Sequence, residues 1–228
     1  MFFDPMYFVF ALPALIFGLW AQWKVRSTFS KYSQVPTQRG ITGVDAARLL
    51  IRNTGVNVGV ASTPGELTDH YDPRTKTMAL SQSSVAGSVA SVAVVAHEFG
   101  HAMQDAQNYG PLKLRGAIVP AVQLGSWVGP ILFIVGFLLQ FQALIVVGIV
   151  AFALTAIFSI VTLPVEFDAS KRALRLLSDN NILAGDELTG AKKVLDAAAL
   201  TYVAAAAQSI STLLYYLTLL TGMRRSQD

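Results

Sequence analysis

Long apolar stretches alternate with shorter polar ones along this chain of 228 residues, and four of the apolar stretches approach the length of a membrane span. A helix needs about 20 consecutive apolar residues to cross the hydrocarbon core of a bilayer. The four segments cover approximately residues 5–23, 117–139, 143–165 and 197–220. The pattern predicts a mainly α-helical, multi-pass membrane protein in which residues 140–142 join the second and third spans into a hairpin.

Basic residues cluster directly after the first and third apolar segments. They are Lys24, Arg26, Lys31, Lys171, Arg172 and Arg175. Excess positive charge stays in the cytoplasm, so the N-terminus is predicted to lie outside and both basic regions inside. The predicted parts are an anchor at 1–23, a cytoplasmic region at 24–116, the hairpin at 117–165, a cytoplasmic segment at 166–196, and a fourth membrane helix with a basic tail at 197–228.

The fourth apolar segment is weaker than the others because it mixes alanine with serine, glutamine and tyrosine. If it crosses the membrane, Arg224 and Arg225 lie outside, against the charge rule. The alternative is a helix that is buried against the others or that re-enters from the same face. We favour a crossing.

The region between the first two spans shows patterns typical of soluble structure. A threonine cap with an acidic residue three positions later predicts a helix that begins after Thr42 and ends at Gly55. Short strands are predicted at 56–61 and 75–81, with a turn at 69–73 between them, and a longer helix is predicted at 83–108. This part of the chain is therefore predicted to form a small α+β unit.

Composition agrees with a membrane protein and limits the chemistry. Hydrophobic residues make up 53% of the chain and charged residues only 14%, which is too apolar for an ordinary soluble domain. The net charge of +3 comes from basic residues beside apolar runs, so it is interpreted as a topology signal, and no nucleic-acid binding is predicted. The chain has no cysteine, which excludes disulfides, thiolate metal sites and cysteine nucleophiles. Any metal site must use histidine, aspartate or glutamate.

The segment His97-Glu98-Phe99-Gly100-His101 is the motif that carries chemistry. Its two histidines are four residues apart within a predicted helix, so both rings lie on one face, as zinc ligands require. Glu98 is placed to act as the general base toward a zinc-activated water. Gly100 lets another helix or the substrate backbone come close to the metal. Two of the three histidines in the chain fall within this motif, so a chance match is a poor explanation.

A catalytic zinc keeps three protein ligands and a water, so one more ligand is needed. Glu166 is favoured because it follows the predicted helix break at Pro164, and a carboxylate at the membrane boundary is costly unless it is paired. Asp168, His70 and Asp105 are the alternatives, and Asp168 is also a candidate hydrogen-bond partner of a metal-bound histidine. The non-functional interpretation is that Glu166 is a solvated carboxylate that balances nearby basic residues.

Three sequence blocks resemble a known family. They are Leu67-Thr68-Asp69-His70-Tyr71-Asp72-Pro73, Ala96-His97-Glu98-Phe99-Gly100-His101-Ala102 and Thr162-Leu163-Pro164-Val165-Glu166-Phe167-Asp168-Ala169-Ser170. Over nearly its full length the chain resembles the bacterial "putative neutral zinc metallopeptidase" family of the YugP type. It is more distantly similar to the HtpX and CAAX prenyl protease class.

The resemblance implies a multi-pass inner-membrane protease that binds Zn²⁺, with Glu166 as the third ligand. In the HtpX-like class an aspartate usually stands four residues after that glutamate, whereas this chain has Ser170. The hydrogen-bond partner of the metal-binding histidines is therefore open.

A peptidase also needs a hydrogen-bond donor for the oxyanion that forms at the scissile carbonyl. The available candidates are His70, Tyr71, Tyr109 and Arg172. His70 is favoured, and the alternative is a turn in which it has no catalytic role. The strand at 75–81 is either an edge strand, to which an extended substrate adds by main-chain hydrogen bonds, or a core strand.

Together these features predict a zinc metalloendopeptidase of the gluzincin-like type. Its fold is predicted to be membrane helices with a small zincin-like α+β catalytic part built around the HExxH helix. It is expected in the inner membrane with the active site facing the cytoplasm, where it acts on membrane-associated proteins or peptides. The alternative is a non-catalytic metal-binding membrane scaffold or partner-binding protein, but a structural metal site would not require Glu98.

Overall fold

Six α-helices and one small sheet make up the part of the chain that the structure describes. The structure is a computed structural model, and it describes residues 5–225, with side chains as far as Gly222. The helices are α1 (Pro5–Ser33), α2 (Gly43–Thr54), α3 (Val89–Ala106), α4 (Gly110–Leu138), α5 (Gln142–Asp179) and α6 (Gly185–Arg225). The strands are β1 (Gly59–Ser62), β2 (His70–Asp72) and β3 (Thr77–Leu80), and a 3₁₀ turn covers Gln82–Ser84.

Four of these helices are long and apolar enough to cross a membrane: α1, α4, α5 and α6 as far as Gly222. Large apolar side chains on them are exposed, such as Trp127, Leu138 and Val150. A surface of this kind is costly in water and favourable in lipid. The prediction of four apolar helices of membrane length is therefore confirmed.

The expected helix break at Pro164 is wrong, because α5 continues through this proline to Asp179. Proline removes only one backbone donor, and a long packed helix keeps enough other hydrogen bonds to continue past it. Glu166 and Ser170 consequently lie four residues apart on one helix, and they share a face.

The chain forms two compact units. Of the residues that the structure describes, the first unit contains 5–21, 114–163 and 201–225, and the second contains 22–113 and 164–200. In the first unit, α4 and α5 approach closely at glycines. A Cβ on Gly148 would lie 2.5 Å from the backbone nitrogen of Phe133, so only glycine fits there.

The second unit is built around α3, which contacts α2, β2 and β3. The predicted cap of α2 is confirmed: the Thr42 side chain accepts from the Asp45 backbone, and the Asp45 side chain accepts from the Thr42 backbone. Gly55 ends the helix with φ of 69°. Leu50 of α2 and Phe99 of α3 are both fully buried, so their helices pack through a common apolar core.

The sheet corrects two expectations. Its strand order is β1-β3-β2, with β1 parallel and β2 antiparallel to β3. The strand predicted at 75–81 is therefore central, and the edge-strand alternative is wrong because β3 has a partner on each side. His70–Asp72 was expected as a turn but forms β2, and the turn follows it at 73–76. The helix predicted at 83–108 begins later, at Val89, where Ser88 caps it.

Candidate metal centre

Helices α3 and α5 bring together three side chains that can bind a metal ion. They are His97 and His101 of α3 and Glu166 of α5, and their ligand atoms all lie within 4.8 Å of one another. Glu166 Oε2 lies 3.2 Å from His97 Nε2 and 3.5 Å from His101 Nε2. Glu166 is 2% exposed and His101 8% exposed. The second unit thus contains a cluster of two imidazoles and one carboxylate in which His101 and Glu166 are buried and His97 is partly exposed.

The spacing of these atoms fits a zinc ion. Tetrahedral ligands at about 2.0–2.2 Å from zinc are about 3.3–3.6 Å from one another. The two separations at Glu166 are 3.2 and 3.5 Å. Two histidines and a carboxylate are also a ligand set that catalytic zinc sites use, with the fourth position left for water. The residues present therefore fit a zinc ion in the chemistry of their ligand atoms and in both separations at Glu166.

Gly100 allows the two helices to come this close. A Cβ at this position would lie 2.5 Å from the carbonyl oxygen of Ala169 in α5. That distance is far below a normal contact, and the obstructing atom belongs to the backbone. Of the two roles expected for Gly100, the structure shows the approach of another helix.

Gly100→Ala is therefore expected to push α5 away from α3. We expect a loss of about 1–3 kcal/mol in stability, the usual cost of overpacking, and weaker zinc binding because Glu166 moves with α5. Thermal unfolding in detergent and the zinc content of the purified protein measure the two effects. Gly18→Ala is the control, since a Cβ there meets nothing within 4 Å. Equal melting temperatures for the two variants would contradict this role of Gly100.

The second ring nitrogen of each histidine also has a hydrogen-bond partner. His97 Nδ1 lies 3.2 Å from the Ser170 hydroxyl, and His101 Nδ1 lies 3.0 Å from Gln104 Oε1. Ser170 thus contacts a histidine from the position where the HtpX-like class has an aspartate. These contacts orient both rings so that their Nε2 atoms face Glu166.

Glu98 is a buried carboxyl without a hydrogen bond or ion pair to any residue that the structure describes. It is 8% exposed. Burial raises the pKa of Glu98; His97 and His101 oppose the shift, while Glu166 and Asp69 add to it. A carboxyl with a raised pKa accepts a proton more readily near neutral pH, as a general base must. A buried carboxyl that has no structural partner is also a candidate for a functional role.

The other candidate ligands lie outside the three-residue cluster. Asp105 Oδ2 accepts from the Tyr71 hydroxyl at 2.8 Å and from Lys76 Nζ at 3.1 Å. Asp168 accepts from Gln104 at 2.9 Å. Both carboxylates are therefore engaged in structural contacts between elements of the second unit.

The proposed oxyanion donors are in different environments. His70 is exposed at the start of β2, with Nδ1 2.9 Å from the Thr68 carbonyl. Burial and the hydrogen bond to Asp105 raise the pKa of Tyr71, which keeps its hydroxyl protonated. Arg172 donates to Asp168 and lies 5.6 Å from the ring centre of Tyr109. The oxyanion role of His70 stays a prediction.

Two residues near the cluster were missed from the sequence. Gln104 bonds His101, and its position three residues later on the same helix was a usable signal. Asp69 accepts from the backbone nitrogen of Ser81 at 2.7 Å and from its hydroxyl at 2.6 Å, and its charge acts on Glu98. The spacing of residues along the chain does not predict that Asp69 lies near Glu98, because Asp69 is in the loop before β2 and Glu98 is on α3.

Comparison with known proteins gives two matches. A family model described as "Putative neutral zinc metallopeptidase" matches residues 7–221. The chain is 44% identical over 214 residues to the "Putative membrane protease YugP" of Bacillus subtilis (strain 168), a stretch that covers 92% of this chain and 95% of that protein. No solved structure matches the chain.

Proposed function

Since the chain belongs to the family described as "Putative neutral zinc metallopeptidase", we propose that it is an endopeptidase that hydrolyses peptide bonds in membrane-associated proteins. Family membership carries with it zinc as the cofactor, a protease role and a membrane location. The observation that carries this proposal is the convergence of His97, His101 and Glu166, together with the buried carboxyl of Glu98, which has no hydrogen bond or ion pair to a described residue. We propose a gluzincin-like site in a zincin-like α+β part on this basis.

Each residue of the site has one proposed task. When bound, zinc supplies a Lewis acid that polarises the scissile carbonyl and lowers the pKa of a water. His97 and His101 would bind the ion through Nε2, and Glu166 would bind it through a carboxylate oxygen. Glu98 takes a proton from the attacking water on its carboxylate and then delivers it to the leaving amide nitrogen.

The edge of β2 is the proposed binding place for an extended substrate. An extended peptide adds to a sheet through an edge strand, and β3 is central. Tyr71 of β2 donates to Asp105 of α3, one turn after His101, which ties this edge to the metal-binding helix. His70 begins the same strand, so it is the proposed donor to the oxyanion.

We further propose that the site faces the cytoplasm at the cell membrane. Support comes from the basic residues after Trp23 and after Asp168, which flank the apolar segments on one side. A non-catalytic metal-binding scaffold or partner-binding protein is the alternative. The buried carboxyl of Glu98 favours the enzyme, because a structural metal site gains nothing from it.

Cleavage of an unfolded protein by the purified chain tests the proposed function. The full-length protein in detergent micelles is incubated with casein and with an unfolded membrane protein, and mass spectrometry locates the new chain ends. We expect cuts at internal peptide bonds, loss of cleavage with a zinc chelator and recovery on adding zinc. Cleavage at the same rate in zinc-free protein would contradict the mechanism. Release of terminal residues alone would contradict the endopeptidase assignment.

A further inference from the structure

Gln104 is a buried polar side chain one turn after His101 on α3. It is completely shielded from solvent, yet both ends of its amide are bonded. Oε1 lies 3.0 Å from His101 Nδ1. Nε2 donates to the carbonyl of Val165 at 2.8 Å and to Asp168 Oδ2 at 2.9 Å. These three contacts join the amide to His101 and to two residues within two positions of Glu166.

These contacts determine which way the amide points. The Val165 carbonyl can only accept, and Asp168 Oδ2 also accepts from Arg172 Nε at 2.5 Å. Both acceptors require the –NH₂ end of Gln104. Its Oε1 therefore faces His101, and since an amide oxygen can only accept, the proton of the neutral His101 ring must be on Nδ1. The lone pair is then on Nε2, the atom 3.5 Å from Glu166.

We propose that Gln104 is a positioning residue that holds His101 in the tautomer and orientation needed for zinc, with Asp168 as its anchor. The inference rests on the proposed function only in taking zinc as the ion that His101 binds. The other histidine is held differently. Ser170, which contacts His97, has a hydroxyl that both donates and accepts, so it does not select a tautomer.

Zinc affinity tests this role without reference to peptide cleavage. Gln104→Met keeps the size of the side chain and removes both ends of the amide. We expect its zinc dissociation constant, measured by chelator competition, to rise about 10–100-fold, as loss of an outer partner of a ligand does. Histidine-selective ¹⁵N NMR of the zinc-loaded wild type is expected to show His101 protonated on Nδ1. Gln107→Met is the control, because Gln107 is exposed near the end of the same helix and contacts Arg172 but not His101.

A second variant tests the same proposal if Gln104→Met does not fold. Asp168→Asn keeps the shape of the anchor but no longer requires the –NH₂ end of Gln104, so we expect a smaller loss of zinc affinity. Unchanged affinity in folded Gln104→Met, or in Asp168→Asn when the first variant does not fold, overturns the proposal. So does a proton on Nε2 of His101. If the wild-type protein binds zinc but cleaves no peptide bond, the proposed function is contradicted, whereas the role of Gln104 in zinc binding is not.

A cleft between α1 and α6 in the second unit carries an independent inference. It has a volume of about 560 Å³, and its lining includes Lys24, Lys31 and Lys193. None of the three lysines forms an ion pair within the described part of the chain. The acidic residue of the lining, Asp196, is bonded to Lys192 at 2.5 Å. The cleft therefore presents three positive charges that have no ion-pair partner among residues 5–222.

Both helices reach this cleft where an apolar segment meets charged residues. The apolar part of α1 ends at Trp23, which lines the cleft and is exposed, and that of α6 begins at Ala197, which also lines it. Tryptophan is enriched at the level of lipid headgroups, and basic pockets between membrane helices bind anionic headgroups. We infer that this cleft binds the phosphodiester headgroup of an anionic phospholipid.

Lipid retention tests the cleft. The full-length protein in mixed micelles with equal phosphatidylglycerol and phosphatidylcholine is examined by native mass spectrometry. We expect several-fold preferential retention of phosphatidylglycerol, and its loss when Lys24, Lys31 and Lys193 are replaced together by glutamine. Replacement of Lys113 and Lys171, which lie outside the cleft, is the control. Equal retention of both lipids by the wild type, or unchanged preference in the triple variant, overturns the inference. The inference is also overturned if inorganic phosphate alone raises the melting temperature as much as phosphatidylglycerol does, because the ligand would then be a free anion.

Discussion

Glu98→Gln is expected to abolish peptide hydrolysis while the protein keeps its zinc. An amide of the same size cannot accept the proton of the attacking water, and loss of general-base catalysis costs about 10²–10⁴ in rate. Glu98 makes no hydrogen bond or ion pair to any described residue, so no structural contact is lost. Initial rates of casein cleavage give the change in kcat/KM, and elemental analysis gives the zinc content.

The stability of this variant supplies a further check. Burial raises the pKa of Glu98, which means that the fold disfavours the ionised carboxylate relative to the unfolded chain. A neutral glutamine is therefore not expected to lower the melting temperature of the zinc-free protein. Glu66→Gln is the matched control, since Glu66 is exposed in the loop before β2. A kcat/KM within a few-fold of wild type in Glu98→Gln would refute its role as the base.

Glu166→Gln is expected to lose the zinc ion. The neutral amide is a much poorer zinc ligand than a carboxylate, and the change leaves two protein ligands of full strength. We expect the zinc dissociation constant to rise by more than the roughly 10–100-fold that loss of an outer partner costs. Peptide hydrolysis should fall with it, and added zinc should restore it only in part.

Asp105→Asn tests whether Asp105, another carboxylate of the second unit, is the third zinc ligand in place of Glu166. Asp105 is bonded by Tyr71 and Lys76, so this variant is expected to keep its zinc. Chelator competition on the two variants side by side makes the comparison. If Asp105→Asn lost the ion and Glu166→Gln kept it, the assignment of the third ligand would be wrong.

The features that were predictable are those that depend on neighbouring residues. The four apolar helices follow from runs of hydrophobic residues, and the cap of α2 follows from Thr42 and Asp45, which are three residues apart. The shared face of His97 and His101 follows from helical spacing. In each case the interacting groups lie within one helix, where 3.6 residues per turn fixes their relation.

The features that were mispredicted depend on contacts between elements. Pro164 was expected to end a helix, but a long helix with packed neighbours tolerates one lost donor. Residues 70–72 were expected to turn, but pairing with β3 makes them a strand. A local propensity is weak when a partner strand or helix can satisfy the same backbone groups.

The order of residues along the chain is enough to predict the kind of protein and the identity of its chemical motif. Four apolar segments and the histidine pair are local patterns, and a zinc site built from histidine and carboxylate follows from them. Three features became visible only in the folded chain: Glu166 lies 3.2 Å from His97, Gln104 joins His101 to Asp168, and β3 is the central strand. These depend on how closely α5 approaches α3, which Gly100 permits, and on which strands pair. Periodicity along one chain does not specify distances between separate elements.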